Sequence, residues 1–366
     1  MSTYIAVFAG VLTLAVLGTP LARKLGLRIN AVDQPDPTRK VHTVPTPRIG
    51  GVAIFVSTLL VTILLRGRYK LDQLTGILVA STLASFLGLW DDRRPLSAWV
   101  KLGGQLLTTG LLIITGVRIM TLPYDWLDYA ATIIWTIGIT NALNLLDNMD
   151  GLAGGIAAIA AGYFALMCAF SGQYLVGAFA MAVMAACIGF LIYNWNPATI
   201  FMGDSGSLFL GATLAAIGIK LQFPENVPFV TWMIPILVLG VPIFDTTLVT
   251  ISRLKRGLNP LTTPGKDHVS HRLTYAGLSR REAVLVLYVA GFVLGMVAIF
   301  VTQATFFEGY LVGGFVFVAG LYALWRMDRP PFWPPPSPPQ SSARLRLGTL
   351  RPKGGKSCAS PSRKRS

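Results

Sequence analysis

The stretch NALNLLDNMDG repeats a polar side chain every third residue: Asn141, Asn144, Asp147 and Asp150, followed by Gly151. Three steps along an α-helix turn about 300°, so these groups drift slowly around one face over two to three turns. That spacing predicts a polar helix face that meets something polar. Six aspartates (Asp91, Asp92, Asp147, Asp150, Asp204 and Asp245) fall at or near the ends of apolar runs. Carboxylates at membrane depth are expensive and normally face a cavity or a partner. Short acids from different helices converging on one wet face suit a hard cation: Mg²⁺ takes one or two carboxylates, keeps water and completes its shell with phosphate oxygens. Any one of these aspartates could instead cap a helix. Six on one side, with few acids elsewhere, point to a site.

The local contexts sharpen the chemistry. Asp91 and Asp92 are adjacent and precede Arg93 and Arg94. Neighbouring carboxylates repel, so one proton is held more tightly unless a cation compensates, which suits a base or a metal site. Asp204 sits in a Gly-Asp-Ser-Gly-Ser turn at the start of an apolar run. Glycines there let the backbone approach a ligand, and free N–H groups at a helix start favour phosphate. Asp245, in PIFDTT, has Arg253 as a candidate structural partner. The three histidines, His42, His268 and His271, lie beside Lys40, Arg48 and Arg272. Together these read as an anion-binding rim, since zinc would want closer Cys/His clustering. Cys168, Cys187 and Cys358 offer no disulfide framework.

The elements that must position these groups are membrane helices. Of 366 residues 53% are hydrophobic and 13% charged, with mean hydropathy +0.60, whereas soluble chains carry about twice that charge. Apolar windows long enough for the ~30 Å hydrocarbon core occur near 4–20, 49–65, 74–90, 97–117, 129–146, 152–171, 174–193, 206–222, 229–250, 283–303 and 306–325. The expected fold is all-α and polytopic, with about 11 transmembrane helices. The first window lacks a basic flank and a convincing cleavage site, so it reads as a retained span. Numbering the spans places 25 of the 31 Lys and Arg on one side, which sets the N-terminus outside and the C-terminus in the cytosol. Topology therefore accounts for the net charge of +15 without a nucleic-acid partner. Residues 1–325 read as one membrane domain, with large inner insertions at 21–48 and 251–282. Residues 326–366, rich in Pro, Ser and Arg, read as a disordered tail.

With these motifs in order (TPRIGG, the Asp-Asp pair, N-x-x-N-x-x-D-x-x-D-G, FMGDSGS, PIFDT and a His-containing loop), the chain resembles the polyprenyl-phosphate N-acetylhexosamine-1-phosphate transferases. That superfamily includes the phospho-MurNAc-pentapeptide translocase. The resemblance covers about residues 1–325. It implies a multi-pass enzyme of the bacterial inner membrane whose site faces the cytosol. There a UDP-amino sugar gives its sugar-1-phosphate to polyprenyl phosphate with Mg²⁺ (or Mn²⁺), releasing UMP, as the first membrane step of a cell-envelope polysaccharide. It implies Asp204 as the main metal ligand with Asp147 beside it. Asp147 and Asp150 would lie near the nucleoside, and Asp91 or Asp92 would deprotonate or orient the lipid phosphate. His268, His271 and Arg272 would meet the sugar nucleotide. Lys40, His42, Arg48, Lys101, Asn141, Asn144 and Asn194 complete the substrate-binding set that it implies, and relatives suggest a homodimer. A one-step attack and a route through an aspartyl intermediate both stay open.

Departures within the motifs bear on the donor. Arg48-Ile49 stands where the pentapeptide branch usually has Thr-Met, and His-Val-Ser-His-Arg replaces its three consecutive histidines. These favour UDP-GlcNAc, with UDP-MurNAc-pentapeptide as the alternative donor. A nucleotide-sugar transporter is the non-enzyme rival; it would need polar or broken helices at the midplane across repeated halves, and no repeat is visible. A CDP-alcohol phosphotransferase is the rival enzyme, but DGLAGG breaks that family's Asp-Gly pattern.

Overall fold

The computed structural model describes residues 2–34, 45–65, 72–224, 226–260, 262–263 and 265–333. Lys40, His42 and the chain beyond Trp333 lie outside the described residues. Helices dominate what is described. They begin with α1 (Ser2–Arg28), α2 (Gly50–Leu65), α3 (Asp72–Arg93) and α4 (Ala98–Ile114). Next come α5 (Asp125–Leu146), α6 (Leu152–Phe170), α7 (Tyr174–Asn194) and α8 (Gly203–Lys220). Then a broken element runs through α9 (Pro228–Thr231), α10 (Met233–Val238) and α11 (Gly240–Lys255). The short α12 (Val269–Tyr275) precedes α13 (Arg280–Gln303) and α14 (Phe306–Met327). One two-residue pairing, β1 (Val32–Asp33) with β2 (Thr46–Pro47), is antiparallel.

Every apolar window of the sequence falls on helix, but they differ in reach. Among the described residues, α1, α3, α5, α6, α7, α13 and α14 are each long and apolar enough to cross a membrane. The segments 228–238 and 240–255 add an eighth if their 74° bend lies within one span. The helices α2 and α4 are shorter apolar ones, and α8 has 18 residues. The chain is thus a multi-pass membrane protein, and among the described residues seven or eight helices, against the eleven expected, have that reach. Serine and threonine fix two helix starts: Ser279 with Glu282, and Thr305 with Glu308, form reciprocal capping boxes at α13 and α14.

The centre is built from small residues. Most of α6, α7 and α8 is buried, with Ala and Gly at many of the contact positions. In lipid, close packing of small residues replaces the hydrophobic effect as the force between helices. Around α8 backbone meets backbone directly. A Cβ on Gly51 would lie 2.2 Å from the Gly206 nitrogen, and one on Gly88 would lie 2.2 Å from the Asp204 carbonyl oxygen. At the periphery, α14 exposes Phe315, Phe317, Val318 and Leu321.

The three-residue spacing at 141–150 does not continue as helix. The helix α5 ends at Leu146, and Asp147 and Asp150 belong to the turn into α6. Gly151 closes that turn at φ +79°, a conformation that costs glycine least. Only Asn141 and Asn144 therefore share the α5 face, and the aspartates are aimed by the turn.

Candidate active site

The helix start at Gly203 organises the acids. The Asp92 carboxylate accepts hydrogen bonds from the backbone N–H groups of Asp204 (3.0 Å) and Ser205 (3.0 Å). The N–H groups expected to await a phosphate are thus occupied by a carboxylate from α3. Asp92 caps α8 from another helix, where negative charge also complements the helix dipole. Gly203, at φ +72°, leaves the room this needs, since a Cβ there would sit 2.7 Å from Asp92 Oδ2.

A chain of ionic hydrogen bonds runs outward from this point. The Lys101 ammonium, in the first turn of α4, donates to Asp91 Oδ2 (2.6 Å) and Asp204 Oδ2 (2.8 Å). Asp91 Oδ1 accepts from the Leu96 N–H at 2.6 Å, so the turn between α3 and α4 places the lysine. Asn144 Nδ2 donates to Asp204 Oδ1 and to the Ser207 hydroxyl, each at 2.9 Å. One turn below, Asn141 and Gln105 pair reciprocally at 2.7 and 3.2 Å. Asp91, Lys101, Asn144 and Asp204 thus form one connected group drawn from α3, α4, α5 and α8.

Asp147 lies at the edge of this group. Burial first, and then the Asp204 and Asp92 carboxylates, push its carboxyl up to about 7, against the pull of Arg48. This is the state of an acid short of positive charge. Arg48 is tethered by an ion pair to Asp33 at 3.3 Å, with its side chain 45% exposed. The strands β1 and β2 set its backbone, and Phe201 N–H to Pro47 and Gly50 N–H to Phe201 stitch this loop to the entrance of α8.

Other residues expected at the site do structural work. Asp150 accepts from Asn196 Nδ2 (2.8 Å) and the Ala198 N–H (3.1 Å), holding the segment that leads toward α8. Asn194 is buried; it accepts from the Gly151 N–H and donates to the Ile200 carbonyl, each at 2.9 Å. Arg272 is also fully buried, so it does not stand on an open rim. It donates to the carbonyls of Asp267 (2.8 Å) and Met327 (2.7 Å) and pairs with Asp328 at 3.3 Å.

His268 is held by Asp245, an acid whose candidate partner from sequence is Arg253. Asp245 instead meets His268 Nδ1 at 2.8 Å and accepts from the Val269 N–H at 2.7 Å, while Arg253 grips Asp267 through two hydrogen bonds. The candidate pairing with Arg253 does not form, because charge sign alone does not say which acid a buried arginine will reach. His271 lies 6.3 Å from His268, centroid to centroid. Burial, then the neighbouring His268 and Lys266, lowers it to about 4. Ser270 donates to Asn148, which ties α12 to the turn bearing Asp147. The readings from sequence missed Gln105, Ser207 and Asp267. Only Asp267 carried a signal, as an acid directly before His268 and downstream of Arg253 and Arg256.

The chain is similar in sequence to known proteins. Residues 74–222 match the model of glycosyl transferase family 4. Over 310 residues the chain is 39% identical to a Bacillus subtilis protein named a probable undecaprenyl-phosphate N-acetylglucosaminyl 1-phosphate transferase, covering 82% of this chain and 85% of that one. The chain belongs to glycosyl transferase family 4. It is also 32% identical over 362 residues to a Mycobacterium tuberculosis decaprenyl-phosphate N-acetylglucosaminephosphotransferase, covering 86% and 87%. A Lactiplantibacillus plantarum phospho-N-acetylmuramoyl-pentapeptide-transferase is 37% identical over a shorter 200 residues, 48% and 62%. The family-4 segment contains Asp91, Asp92, Lys101, Asn144, Asp147 and Asp204, and it ends before Asp245 and α12.

Proposed function

We propose that this family-4 chain transfers N-acetylglucosamine 1-phosphate from UDP-GlcNAc to undecaprenyl or another polyprenyl phosphate. The products are the polyprenyl-diphosphate-linked sugar and UMP. The observation that carries the reading is the 39% identity across 82% of the chain to a relative named for that transfer. The acceptor phosphate oxygen forms a bond to the β-phosphorus as the bond from that phosphorus to the UMP oxygen breaks. Phosphoryl transfer of this kind needs positioning and charge neutralisation more than covalent help.

The residues divide that work. Both Asp92 oxygens are engaged at the α8 start, so Asp91 is the acid placed to take the acceptor's proton, once Lys101 turns from it to a phosphate oxygen. Lys101 and Arg48 supply positive charge, and Asn144 fixes the rotamer of Asp204. Mg²⁺, or Mn²⁺ in its place, belongs to the proposal. Among the described residues no three His, Cys, Asp or Glu side chains could hold a metal without help. Two carboxylates plus diphosphate oxygens suffice for Mg²⁺. Asp204 and Asp147 fit that need, because Asp147 is raised by burial first and then by the Asp204 and Asp92 carboxylates, and a cation would offset both. When bound, the cation would neutralise the diphosphate. A cytosolic site, a bacterial inner-membrane location and a homodimer complete the proposal; the inward bias of Lys and Arg supports the first.

The test is UMP release by the purified protein with polyprenyl phosphate and either UDP-GlcNAc or UDP-MurNAc-pentapeptide. Acceptor-dependent UMP from UDP-GlcNAc is expected. Preference for the pentapeptide donor would move the chain to the other branch, and UDP-GlcNAc binding without UMP would favour transport.

A further inference from the structure

The segment after α14 reads from sequence as the start of a passive tail, yet its first residues are built into the wall behind the histidine loop. Arg272 reaches them from α12. Its Nη1 donates to the Met327 carbonyl and meets Asp328 Oδ1. Asp328 Oδ2 takes a second cation, Lys255 at the end of α11, at 2.8 Å. The ring of Trp333 lies under two guanidinium groups, Arg272 at 4.3 Å and Arg256 at 4.9 Å. Arg272 Nη2 is buried without a hydrogen-bond partner, so the aromatic face is what offsets its charge on that side. Phe332 packs with Met149 and Trp195 against the cluster of Leu146, Leu152, Val269 and Leu273. That cluster underlies both the Asp147 turn and α12. The segment itself is braced by Arg326, which donates to the Pro330 carbonyl (2.8 Å) and lies over Phe332.

These contacts converge on one small element. The helix α12 has seven residues, too few to hold its own shape in water or at an interface. Its position depends on what grips it. On one side Asp245 holds His268 and the Val269 N–H. On another, Ser270 meets Asn148. Val269 and Leu273 pack into the apolar cluster with Ala283, Val284 and Leu287 of α13, and Arg272 adds a polar grip whose partners beyond Asp267 lie in residues 327–333.

We propose that residues 327–333 are a positioning strap: Asp328 and Trp333 hold Arg272, and through it set α12 so that His268 and His271 can meet the sugar-nucleotide donor. Trp333 and Asp328 touch no reacting atom; they act through Arg272. The kinetic part of this inference rests on the transferase reading above, and the structural part does not.

The experiment uses the full chain in nanodiscs, with Trp333→Ala, Trp333→Phe, Asp328→Asn and a chain ended after Trp333. For Trp333→Ala, KM for UDP-GlcNAc should rise on the order of tenfold while kcat and KM for polyprenyl phosphate stay within about twofold, the pattern of lost donor binding. Asp328→Asn should move the same way by less. Trp333→Phe keeps an aromatic face and should recover most of the donor affinity, and the chain ended after Trp333 should match the full chain. A fall in kcat with donor KM unchanged would overturn the inference, because it marks general damage and not positioning. Hydrogen–deuterium exchange of residues 268–276, without any substrate, provides the second readout. Faster exchange there in Trp333→Ala, with α6 and α7 unchanged, is expected. Unchanged exchange in that variant and in Asp328→Asn refutes the strap. If the wild type releases no UMP, the transferase reading falls while the exchange result still decides the strap.

Discussion

Two charged clusters lie at the ends of these helices, and they are left in opposite states. At the acidic mouth, Asp91, Asp92, Asp147 and Asp204 share Lys101 and the more distant Arg48. Negative charge is in excess there, and burial together with that excess raises the Asp147 carboxyl to about 7. Around α12, Arg253, Lys255, Arg256 and Arg272 surround Asp267 and Asp328. Positive charge is in excess, but carbonyl oxygens and the Trp333 ring absorb it. The lesson is that a structural cluster completes its own partners. A reactive one leaves a deficit for a ligand to fill.

The strongest way to break that contrast is to change the acid on which the mouth converges. Asp204→Asn should lower turnover on the order of a thousandfold or more while leaving the protein folded, and EDTA should abolish the wild-type reaction. Substantial turnover by the variant, or full activity in EDTA, would show that the deficit at the mouth is not functional. Next in size is a split within the aspartate pair. Asp91→Asn should reduce kcat by roughly 10²-fold or more, as for a lost general base, with the melting temperature near wild type. Asp92→Asn should instead lower stability by about 1–2 kcal/mol, the range of a lost helix cap. If the two variants behave alike, the assignment of separate roles is wrong.

Smaller effects probe the framework and the second cluster. Gly51→Ala should destabilise the detergent-solubilised protein by about 1–3 kcal/mol, as overpacking does, because its methyl would collide with Gly206. A neutral outcome would mean that α2 and α8 can part without cost. The least effect is expected from acid. Burial alone would raise the Asp267 carboxyl, but hydrogen bonds from Arg253 and Arg256 outweigh it and hold it at about 2. A carboxyl lowered from its usual value near 3.8 stabilises the fold above about pH 4, and this is lost as pH falls toward 2. Thermal unfolding of the wild type should therefore weaken more steeply across that window than that of Asp267→Asn. Parallel curves would remove Asp267 from the set of groups that complete the cluster.

How much of this was legible beforehand differs by scale. The helical, multi-pass class was, because length and hydropathy act locally; the count was not, since seven or eight helices of the described residues have the reach of a span where eleven were expected. Of the six aspartates grouped from sequence, Asp91, Asp92, Asp147 and Asp204 do meet around the start of α8, while Asp150 holds a loop and Asp245 holds His268. Their division of labour was not legible. Nothing near Asp92 in sequence says that it will reach the Asp204 and Ser205 N–H groups, which lie 112 and 113 positions away. Arg272 misled for a related reason. A basic residue beside two histidines looks like a ligand contact until burial and its partners in residues 327–333 are known. The spacing of Asn141 to Asp150 was informative about polarity but not about shape, because Gly151 ends the helical continuation.

The tight backbone contacts around α8 have one more consequence. Acids drawn from several helices keep their spacing only if the helices that carry them cannot slide apart. Beneath the Asp204 turn, Gly51 meets Gly206 and Gly88 meets Asp204 with no room for a methyl group. From α2, α5 and α8, Ile54, Ile139, Leu143, Leu208 and Phe209 are almost wholly shielded. The same glycines thus act as hard stops: the distance between α3, which carries Asp91 and Asp92, and the Asp204 turn is set by backbone contact and not by side chains.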